Sequence, residues 1–281
     1  GRITIGEESY TDGRFDGNRA KAQVFIASYV LDLPEAERAA RPVTFVFNGG
    51  PGSPTVWLQF GLFGPHIVRT GDVDTRVPPP YALDENAETL LIDSDLVFID
   101  PMTTGFSRAA DGADPTAFHG YSGDRELTAD AIRLWTTANN RWVSPKFLAG
   151  ESYGTTRAAA LAGYLLRRHG MALNGVVLIS SVLDFHTVFE TEGNDEPYVN
   201  YLPTYAATAH YHGLHQGRQL RELIAEVQEF AETEFRLALA RGSRLGAAER
   251  AAIVERVAGY IGVSERFVDD ADLRIPHGRY L

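Results

Sequence analysis

The sequence predicts an α/β protein, a mostly parallel sheet with helices followed by an added helical region. In the first two-thirds of the 281 residues, short β-type runs alternate with helical patterns, which is the order that a parallel sheet requires. After about Phe185 no strand pattern follows, and apolar residues recur at the spacing of amphipathic helices.

Composition narrows the class of protein further. With 44% hydrophobic and 22% charged residues, the chain has the make-up of a globular protein. The net charge of −11 argues against a nucleic-acid partner, because phosphates need a concentrated basic surface. No apolar run approaches the roughly 20 residues that span a bilayer, so we expect no membrane span. The absence of cysteine excludes disulfides and thiol chemistry.

The strands of the first region are expected from short runs of β-branched, aromatic and apolar residues. They are predicted over residues 22–31, 43–47, 96–99, 146–149 and 176–180. The runs at 96–99 and 176–180 are apolar throughout or nearly so, which predicts strands buried on both faces. Helices are predicted over residues 128–142 and 155–169, and Gly170 ends the second.

The second region begins with a polar connector at residues 191–197 and then has two helical stripes. These are Leu220, Leu223, Ile224, Val227, Phe230 and Ala231, followed by Ile253, Val254, Val257, Ala258 and Ile261. Ser264 is expected to cap a further short helix. We therefore predict a core over residues 1–185 and a helical cap or insertion over residues 186–281. A separate helical domain is the alternative, and it would need its own closed core.

The first chemical motif is Gly150-Glu151-Ser152-Tyr153-Gly154, a G-x-S-x-G segment between a predicted strand and a predicted helix. A nucleophile elbow needs this setting, because its serine occupies a tight, strained turn and the glycines let strand and helix pass closely. The N-terminus of the following helix can stabilise a developing oxyanion. The pentapeptide alone is a weak signal, but its setting makes Ser152 the candidate nucleophile.

The second motif is Asn48-Gly49-Gly50-Pro51-Gly52, directly after the strand that ends at Phe47. Such a loop is rigid, and its backbone amides can point at an anion. In α/β-hydrolases the other half of the oxyanion hole follows an early strand of the sheet. A plain tight turn is the alternative interpretation.

Three segments together resemble the signatures of the serine carboxypeptidase family, in the family's order and at its spacing. They are residues 48–53 (NGGPGS), 100–107 (DPMTTGFS) and 150–154 (GESYG). Residues 201–209 (YLPTYAATA) resemble the helical insertion of the bacterial branch. The resemblance covers nearly the whole chain, and it implies an α/β-hydrolase fold with a helical cap inserted after the sixth strand.

The resemblance also implies a serine-type carboxypeptidase that removes single C-terminal residues from peptide substrates by acyl transfer. Carried over by position, the resemblance makes Ser152 the nucleophile and the amides of Gly50 and Tyr153 the oxyanion hole. It also implies that the substrate's terminal carboxylate binds at Asn48, Gly49 and Glu151. Glu151 can lie beside a carboxylate only if one of the two is protonated. The family is secreted, periplasmic or lysosomal, so a secreted or periplasmic location is expected.

Two positions depart from the family pattern. In the family a second glutamate commonly pairs with the one at the position of Glu151, but this chain has Leu62 in place of that second glutamate. The resemblance links this pair to carboxyl-terminal specificity and to an acidic pH optimum. Thr103 stands where the family usually has glycine.

The acid and the base of a catalytic triad are the main gap. In α/β-hydrolases the order is Ser, acid, His, and the family places both partners after the helical insertion. By this interpretation the chain ends before the last strands, a missing or separate C-terminal segment supplies Asp and His, and this chain alone is inactive. Asp184 and His186, at the end of the 176–180 strand, form the local alternative.

The other histidines predict neither a metal nor a cofactor. His210, His212 and His215 scatter around a helix at 100° per residue instead of sharing one face. His277 follows Asp272 with no strand before it, which indicates a solvated loop residue.

Two rival functions stay open. One is another α/β-hydrolase, a proline aminopeptidase or an esterase, although these usually have histidine where this chain has Asn48. The other is a non-catalytic binding protein on a hydrolase scaffold.

Overall fold

A computed structural model of the chain describes residues 1–71 and 75–280, and the side chains of residues 10, 11, 15 and 16 are not considered. Residue 281, the last of the predicted cap, lies outside the described residues. The chain divides into two units, Gly1–Leu183 and Asp184–Leu281, two residues before the predicted boundary.

The first unit contains all the described strands and four of the described α-helices. Its strands are β1 (Arg2–Thr11), β2 (Arg14–Tyr29), β3 (Val43–Phe47), β4 (His66–Val68), β5 (Leu83–Glu85), β6 (Asp95–Ile99), β7 (Arg108–Ala109), β8 (Lys146–Glu151) and β9 (Gly175–Ile179). Its helices are α1 (Glu35–Ala40), the single turn α2 (Val56–Leu58), α3 (Tyr121–Ala138) and α4 (Tyr153–His169).

The main sheet has the strand order β1-β2-β6-β3-β8-β9, with β7 paired to β2. Strands β6, β3, β8 and β9 are parallel to one another. Strand β2 is antiparallel to β6 and to its other neighbour, β1. Phe47, at the end of β3, pairs with Gly150, near the end of β8. Both glycine-rich motifs therefore leave the sheet side by side at its carboxyl edge, where ligands bind in open α/β sheets.

The centre of this sheet is buried on both faces. Strands β3 and β6 are buried along their whole length, and for β6 this burial was predicted from its apolar run. On one face Phe45 packs edge-on against Trp135 of α3, with ring centroids 5.5 Å apart. On the other face Phe98 joins Leu58 in a second buried cluster. The sheet edge that carries the motifs is thus held by a close-packed core.

In the first unit one strand was missed, and one strand and one helix have bounds that differ from the prediction. The hairpin strand β1 was not predicted, although Asp12-Gly13 is a typical hairpin turn and both residues have positive φ. Strand β2 begins at Arg14, well before residue 22. Helix α3 spans Tyr121–Ala138 instead of residues 128–142, because its polar first turns lack the apolar spacing that marks a helix.

The predicted buried strand at 176–180 is an exposed strand in the structure. Strand β9 has Val176, Val177 and Leu178 at 38%, 44% and 40% exposure. It lies at the edge of the sheet, with only β8 as a described neighbour. An apolar run indicates that a strand is suited to burial on both faces, but it does not identify the chain segment that buries it.

The second unit is helical, with bounds α5 (Glu196–Tyr211), α6 (Leu220–Phe230), α7 (Arg236–Arg241), α8 (Ala247–Ile261), α9 (Glu265–Asp270) and α10 (His277–Tyr280). Both predicted stripes are confirmed in α6 and α8, and the Ser264 hydroxyl caps α9 by accepting from the Phe267 amide. Helix α5 begins inside the predicted connector.

This unit packs around its own buried cluster, the condition that a separate helical domain requires. The cluster includes Val199, Leu202, Leu223, Val227, Phe230, Phe235, Val257 and Val268.

Candidate active site

Ser152 lies in the tight turn between β8 and α4, as the strand–turn–helix prediction expected. Its backbone has φ 57° and ψ −124°, a conformation that side-chain-bearing residues adopt only under strain. The Ser152 amide donates to the Ile179 carbonyl at 2.9 Å, and its carbonyl accepts from the Thr155 amide at 2.9 Å. Strand β9 on one side and the first turn of α4 on the other therefore fix the strained turn.

The loop after β3 lies directly against this turn. A Cβ on Gly49 would come within 2.5 Å of the Tyr153 amide nitrogen and 2.9 Å of the Ser152 Cβ. Only glycine allows so close an approach of two backbones. Gly50 has φ 104°, which also favours glycine. The structure thus brings the amide-bearing loop and the Ser152 turn together.

Asn48 and Glu151 are also brought together. Asn48 is 2% exposed, and its Nδ2 donates to Glu151 Oε2 at 3.0 Å. Its Oδ1 accepts from the Leu58 amide at 3.1 Å, so the side chain also holds the last residue of α2. The predicted carboxylate-binding residues, with Gly49 between them, form one group beside Ser152.

Asp100 joins the loop after β6 to the loop after β3. Its buried carboxylate accepts from the Thr55 amide at 2.9 Å, from the Thr55 hydroxyl at 2.6 Å and from the Phe106 amide at 3.3 Å. The segment 100–107 is thus bonded to the chain that directly follows the motif at residues 48–53.

Sequence analysis missed a buried ion pair at this edge. Arg157, in the second turn of α4, is 2% exposed, and its Nε lies 2.8 Å from Asp124 Oδ2 at the start of α3. Its Nη1 donates to the Asn48 carbonyl at 2.8 Å. Its guanidinium also lies over the rings of Phe47 and Tyr153. One side chain therefore links helix α4, the glycine-rich loop and α3.

Only a weak signal could have revealed Arg157. It is a lone arginine one turn after Tyr153 on the apolar face of an alanine-rich helix. Its partner Asp124 is 33 residues away in the sequence, so no local motif contains both.

The electrostatic surroundings keep the phenol of Tyr153 neutral at ordinary pH. Burial raises the pKa of Tyr153, and the nearby Asp124 carboxylate raises it further. A neutral phenol can still donate a hydrogen bond through its hydroxyl group.

The two departures from the family pattern occupy different settings. Thr103 has φ 62°, a left-handed conformation that favours glycine, and this explains the usual residue at that position. Leu62 is exposed in the turn after α2, and its carbonyl accepts from Asn86 Nδ2 at 2.8 Å.

The local triad alternative finds no support in the hydrogen bonds of its members. Asp184 Oδ1 accepts from the backbone amide of His186 at 2.9 Å, so this carboxylate caps a helical turn. Across residues 1–71 and 75–280, no histidine forms a hydrogen bond with the Ser152 hydroxyl.

The four histidines of the second unit that follow His186 each have a local contact. His210 and His215 each bond through Nε2 to a backbone carbonyl at 2.9 Å, those of Arg218 and Tyr260, and His277 lies 3.3 Å from Glu190. His212 packs edge-on against Tyr211. Among the described residues no group of acidic or histidine side chains has the arrangement of a metal site. None of the described helices is long and apolar enough to cross a membrane.

Comparison with known proteins agrees with the motifs. The sequence model of the family described as serine carboxypeptidase matches residues 22–246. No curated protein sequence matches the chain.

Among solved structures, the chain is similar to the prohormone-processing carboxypeptidase Kex1 from Saccharomyces cerevisiae. The TM-score is 0.54 at 17% identity, over 93% of this chain and 52% of that one. The peroxisomal α/β-hydrolase Lpx1 from the same yeast gives a TM-score of 0.34 at 13% identity, over 83% of this chain and 61% of that one. The fold is that of the α/β-hydrolases, and the chain spans about half the length of the Kex1 structure.

Proposed function

The chain belongs to the serine carboxypeptidase family, and from this premise we propose that it carries the nucleophile of a serine-type carboxypeptidase. The substrate is a peptide, and the bond cleaved is the one to its C-terminal residue. The observation that carries the proposal is the strained Ser152 turn packed against the Gly49 backbone. The fold and the family support hydrolysis, and the residue roles below are our proposal.

In the proposed reaction, the Ser152 hydroxyl oxygen attacks the carbonyl of the last peptide bond. The amides of Gly50 and Tyr153 donate to the oxyanion of the tetrahedral intermediate. Collapse of the intermediate releases the C-terminal amino acid and leaves an acyl group on Ser152. Water then attacks this ester and frees the shortened peptide.

The substrate's terminal carboxylate is proposed to bind at Asn48, Gly49 and Glu151. The Asn48 amide and the Gly49 backbone amide can donate hydrogen bonds to it, whereas Glu151 is an acceptor when ionised. Two carboxylates this close share a site only when one of them holds a proton. With Leu62 in place of a second glutamate, Glu151 is the single carboxyl side chain of this group.

A base and an oriented acid must come from elsewhere in the enzyme. Ser152 is a poor nucleophile without a base, and the described residues place no histidine in contact with its hydroxyl. We propose that a further C-terminal segment, in the same or a second chain, supplies Asp and His and covers β9. This chain alone is then catalytically inactive. The helical unit is proposed as the cap, and the location as secreted or periplasmic.

The proposal is tested with the full-length enzyme and a blocked dipeptide, either with a free terminal carboxylate or as its amide. We expect kcat/KM for the free acid to exceed that for the amide by about 100-fold, because buried donors lose a charged partner. Asn48→Ala should lower the value for the free acid by about 10-fold or more and leave the amide unchanged. Asn200→Ala, an exposed asparagine of the second unit, is the control.

Other outcomes select the rival functions. Equal turnover of acid and amide would favour an esterase or another α/β-hydrolase. Folded enzyme that turns over neither substrate, and whose Ser152 resists fluorophosphonates, would favour a non-catalytic binding protein.

A further inference from the structure

A cavity of about 410 Å³ opens between the β1–β2 hairpin and helix α3, within the first unit. We call it the hairpin groove, and its polar lining includes Asn18 and Arg19 of β2 and Asp130 and Arg133 of α3. We propose that the hairpin groove binds a free α-amino acid, with the ligand's carboxylate at the two arginines and its ammonium group at Asp130. This inference goes beyond the proposed peptidase reaction and does not depend on it.

The hairpin groove is separate from the Ser152 turn. In the sheet, strands β6 and β3 lie between β2 and β8, and the Ser152 turn follows β8. A register shift between Ile5 and Gly6 lies beside the groove, because β2 has one extra residue there. Such a bulge bends the strand pair locally, at the place where the hairpin and α3 leave the groove open.

Arg19 brings to the groove a positive charge that no described residue neutralises. Its cross-strand neighbour is Glu7, but the Glu7 carboxylate lies 3.0 Å from the Lys21 ammonium group. Within the part of the chain that the structure describes, Arg19 forms neither a hydrogen bond nor an ion pair. The N–H donors of its guanidinium are therefore available to a ligand.

Arg133 and Asp130 are only loosely paired with one another. Arg133 Nε and Nη2 both lie 3.4 Å from Asp130 Oδ1, which is longer than an ordinary N–H···O bond. Among the described residues, Arg133 Nη1 and Asp130 Oδ2 have no hydrogen-bond partner. His169 Nε2 lies 3.7 Å from the same Oδ1, and burial lowers the pKa of His169, so this imidazole is uncharged at neutral pH. The Asp130 carboxylate therefore keeps an oxygen free to accept from a ligand.

An α-amino acid complements these three charged side chains. Its carboxylate accepts from the guanidinium groups, whose fork of donors matches the two carboxylate oxygens. Its ammonium group donates to the free Asp130 oxygen. A simple anion would be repelled by Asp130, and a simple amine would be repelled by both arginines. The groove therefore favours a ligand that carries both charges.

The apolar part of the lining suits the side chain of such a ligand. Ile5 is buried and Leu134 packs against the main core cluster, and both line the groove. The volume of about 410 Å³ lies within the range of roughly 300–1,000 Å³ that is usual for small-molecule sites. An aliphatic side chain gains free energy by leaving water for this surface, so we choose leucine as the probe.

The test is isothermal titration calorimetry of the full-length enzyme with L-leucine, N-acetyl-L-leucine, L-leucinamide and inorganic phosphate. We expect L-leucine to bind about 10-fold more tightly than each of the others, because each of them lacks one of the two charged groups. Arg19→Met and Arg133→Met should each weaken L-leucine binding about 5-fold, since solvent partly screens an ion pair with an exposed or half-exposed arginine. Asp130→Asn should weaken the binding of L-leucine but not that of N-acetyl-L-leucine.

Two further variants serve as controls. Arg14→Met replaces an exposed arginine of the same strand that does not line the groove, and it should leave L-leucine binding unchanged. Asn48→Ala removes a donor from the proposed site for the substrate carboxylate, and it should leave binding at the hairpin groove intact.

Three results would overturn the hairpin groove as an amino-acid site. They are no measurable binding of L-leucine, equal binding by Arg19→Met, Arg133→Met and Arg14→Met enzyme, and binding that only Asn48→Ala abolishes. Phosphate or N-acetyl-L-leucine binding as tightly as L-leucine would overturn the requirement for both charges, and with it the proposal. Because the readout is binding, none of these results bears on whether Ser152 is the nucleophile.

Discussion

Two buried arginine–aspartate pairs lie at opposite ends of the parallel strands. Arg141 and Asp95 meet at the amino end of β6, with Nη1 and Oδ2 2.5 Å apart. Arg157 and Asp124 meet at the carboxyl end, beside the Ser152 turn, at 2.8 Å. Both arginines are almost fully buried, so the two pairs are alike in burial and chemistry.

Their surroundings differ. Arg141 also donates hydrogen bonds to the Ser144 hydroxyl at 2.7 Å and to the Arg41 carbonyl at 2.8 Å. Arg157 instead donates to the Asn48 carbonyl and lines a cavity of about 260 Å³ whose wall also includes Tyr153. Burial of an ion pair therefore does not identify a functional site. A functional site is indicated by the end of the strands at which the pair lies and by the groups that the arginine contacts besides its aspartate.

The largest expected effect on stability comes from the amino-end pair. Arg141→Met leaves the fully buried Asp95 with Arg41 as its cationic partner, at 2.9 Å, and we expect the free energy of unfolding to fall by about 1.5–3 kcal/mol, the range for a lost hydrogen bond to a charged group. Denaturant unfolding measures this change. The kcat/KM of the folded enzyme should remain that of the wild type. Arg133→Met, which breaks a half-exposed pair with Asp130 inside α3, is the control and should change stability little. A large loss of kcat/KM in folded Arg141→Met enzyme would contradict the structural role.

The carboxyl-end pair should affect activity. Arg157→Met removes the hydrogen bond that holds the Asn48 carbonyl, so the oxyanion loop can shift relative to Ser152. We expect kcat/KM per folded molecule to fall about 100-fold, the usual cost of a displacement near 1 Å. Steady-state kinetics of full-length enzyme, with the folded fraction measured alongside, gives this value.

The control for that prediction is Arg167→Met, an exposed arginine of the same helix. Equal kcat/KM in Arg157→Met and Arg167→Met enzyme would reduce the carboxyl-end pair to the same purely structural role as the pair at the amino end.

The smallest effect is expected from a pair with the same chemistry on the surface. Arg69 contacts both carboxylate oxygens of Asp84 at 2.8 Å, but both side chains are exposed. Solvent screens such a pair, so Arg69→Ala should leave the midpoint of denaturant unfolding and the kcat/KM unchanged within error. A shift as large as that of Arg141→Met would show that burial is not what separates the pairs.

The fold and the Ser152 turn could be predicted from the sequence because their signals are local. Five residues with two glycines define the turn between β8 and α4, and its strained φ of 57° follows from that setting. The start of α3 was missed because its first turns are polar. The pairing of Asp124 with Arg157 was missed because it depends on how α3 and α4 pack, which no short segment records.

The exposure of β9 was predicted wrongly for a related reason. The apolar residues 176–180 indicate a covered strand, yet the described sheet has no neighbour beyond β9. The sequence pattern reports the environment for which a strand is suited. A partner from another segment is not visible in that pattern.

The most direct test of the account is to find which residue a fluorophosphonate labels in the full-length enzyme. Intact-mass measurement and peptide mapping should show one adduct on Ser152 in the wild type and none in Ser152→Ala. The variant should unfold like the wild type and keep less than about a thousandth of its kcat. An adduct on another residue, or activity well above that level in Ser152→Ala, would contradict the assignment of Ser152 as the nucleophile.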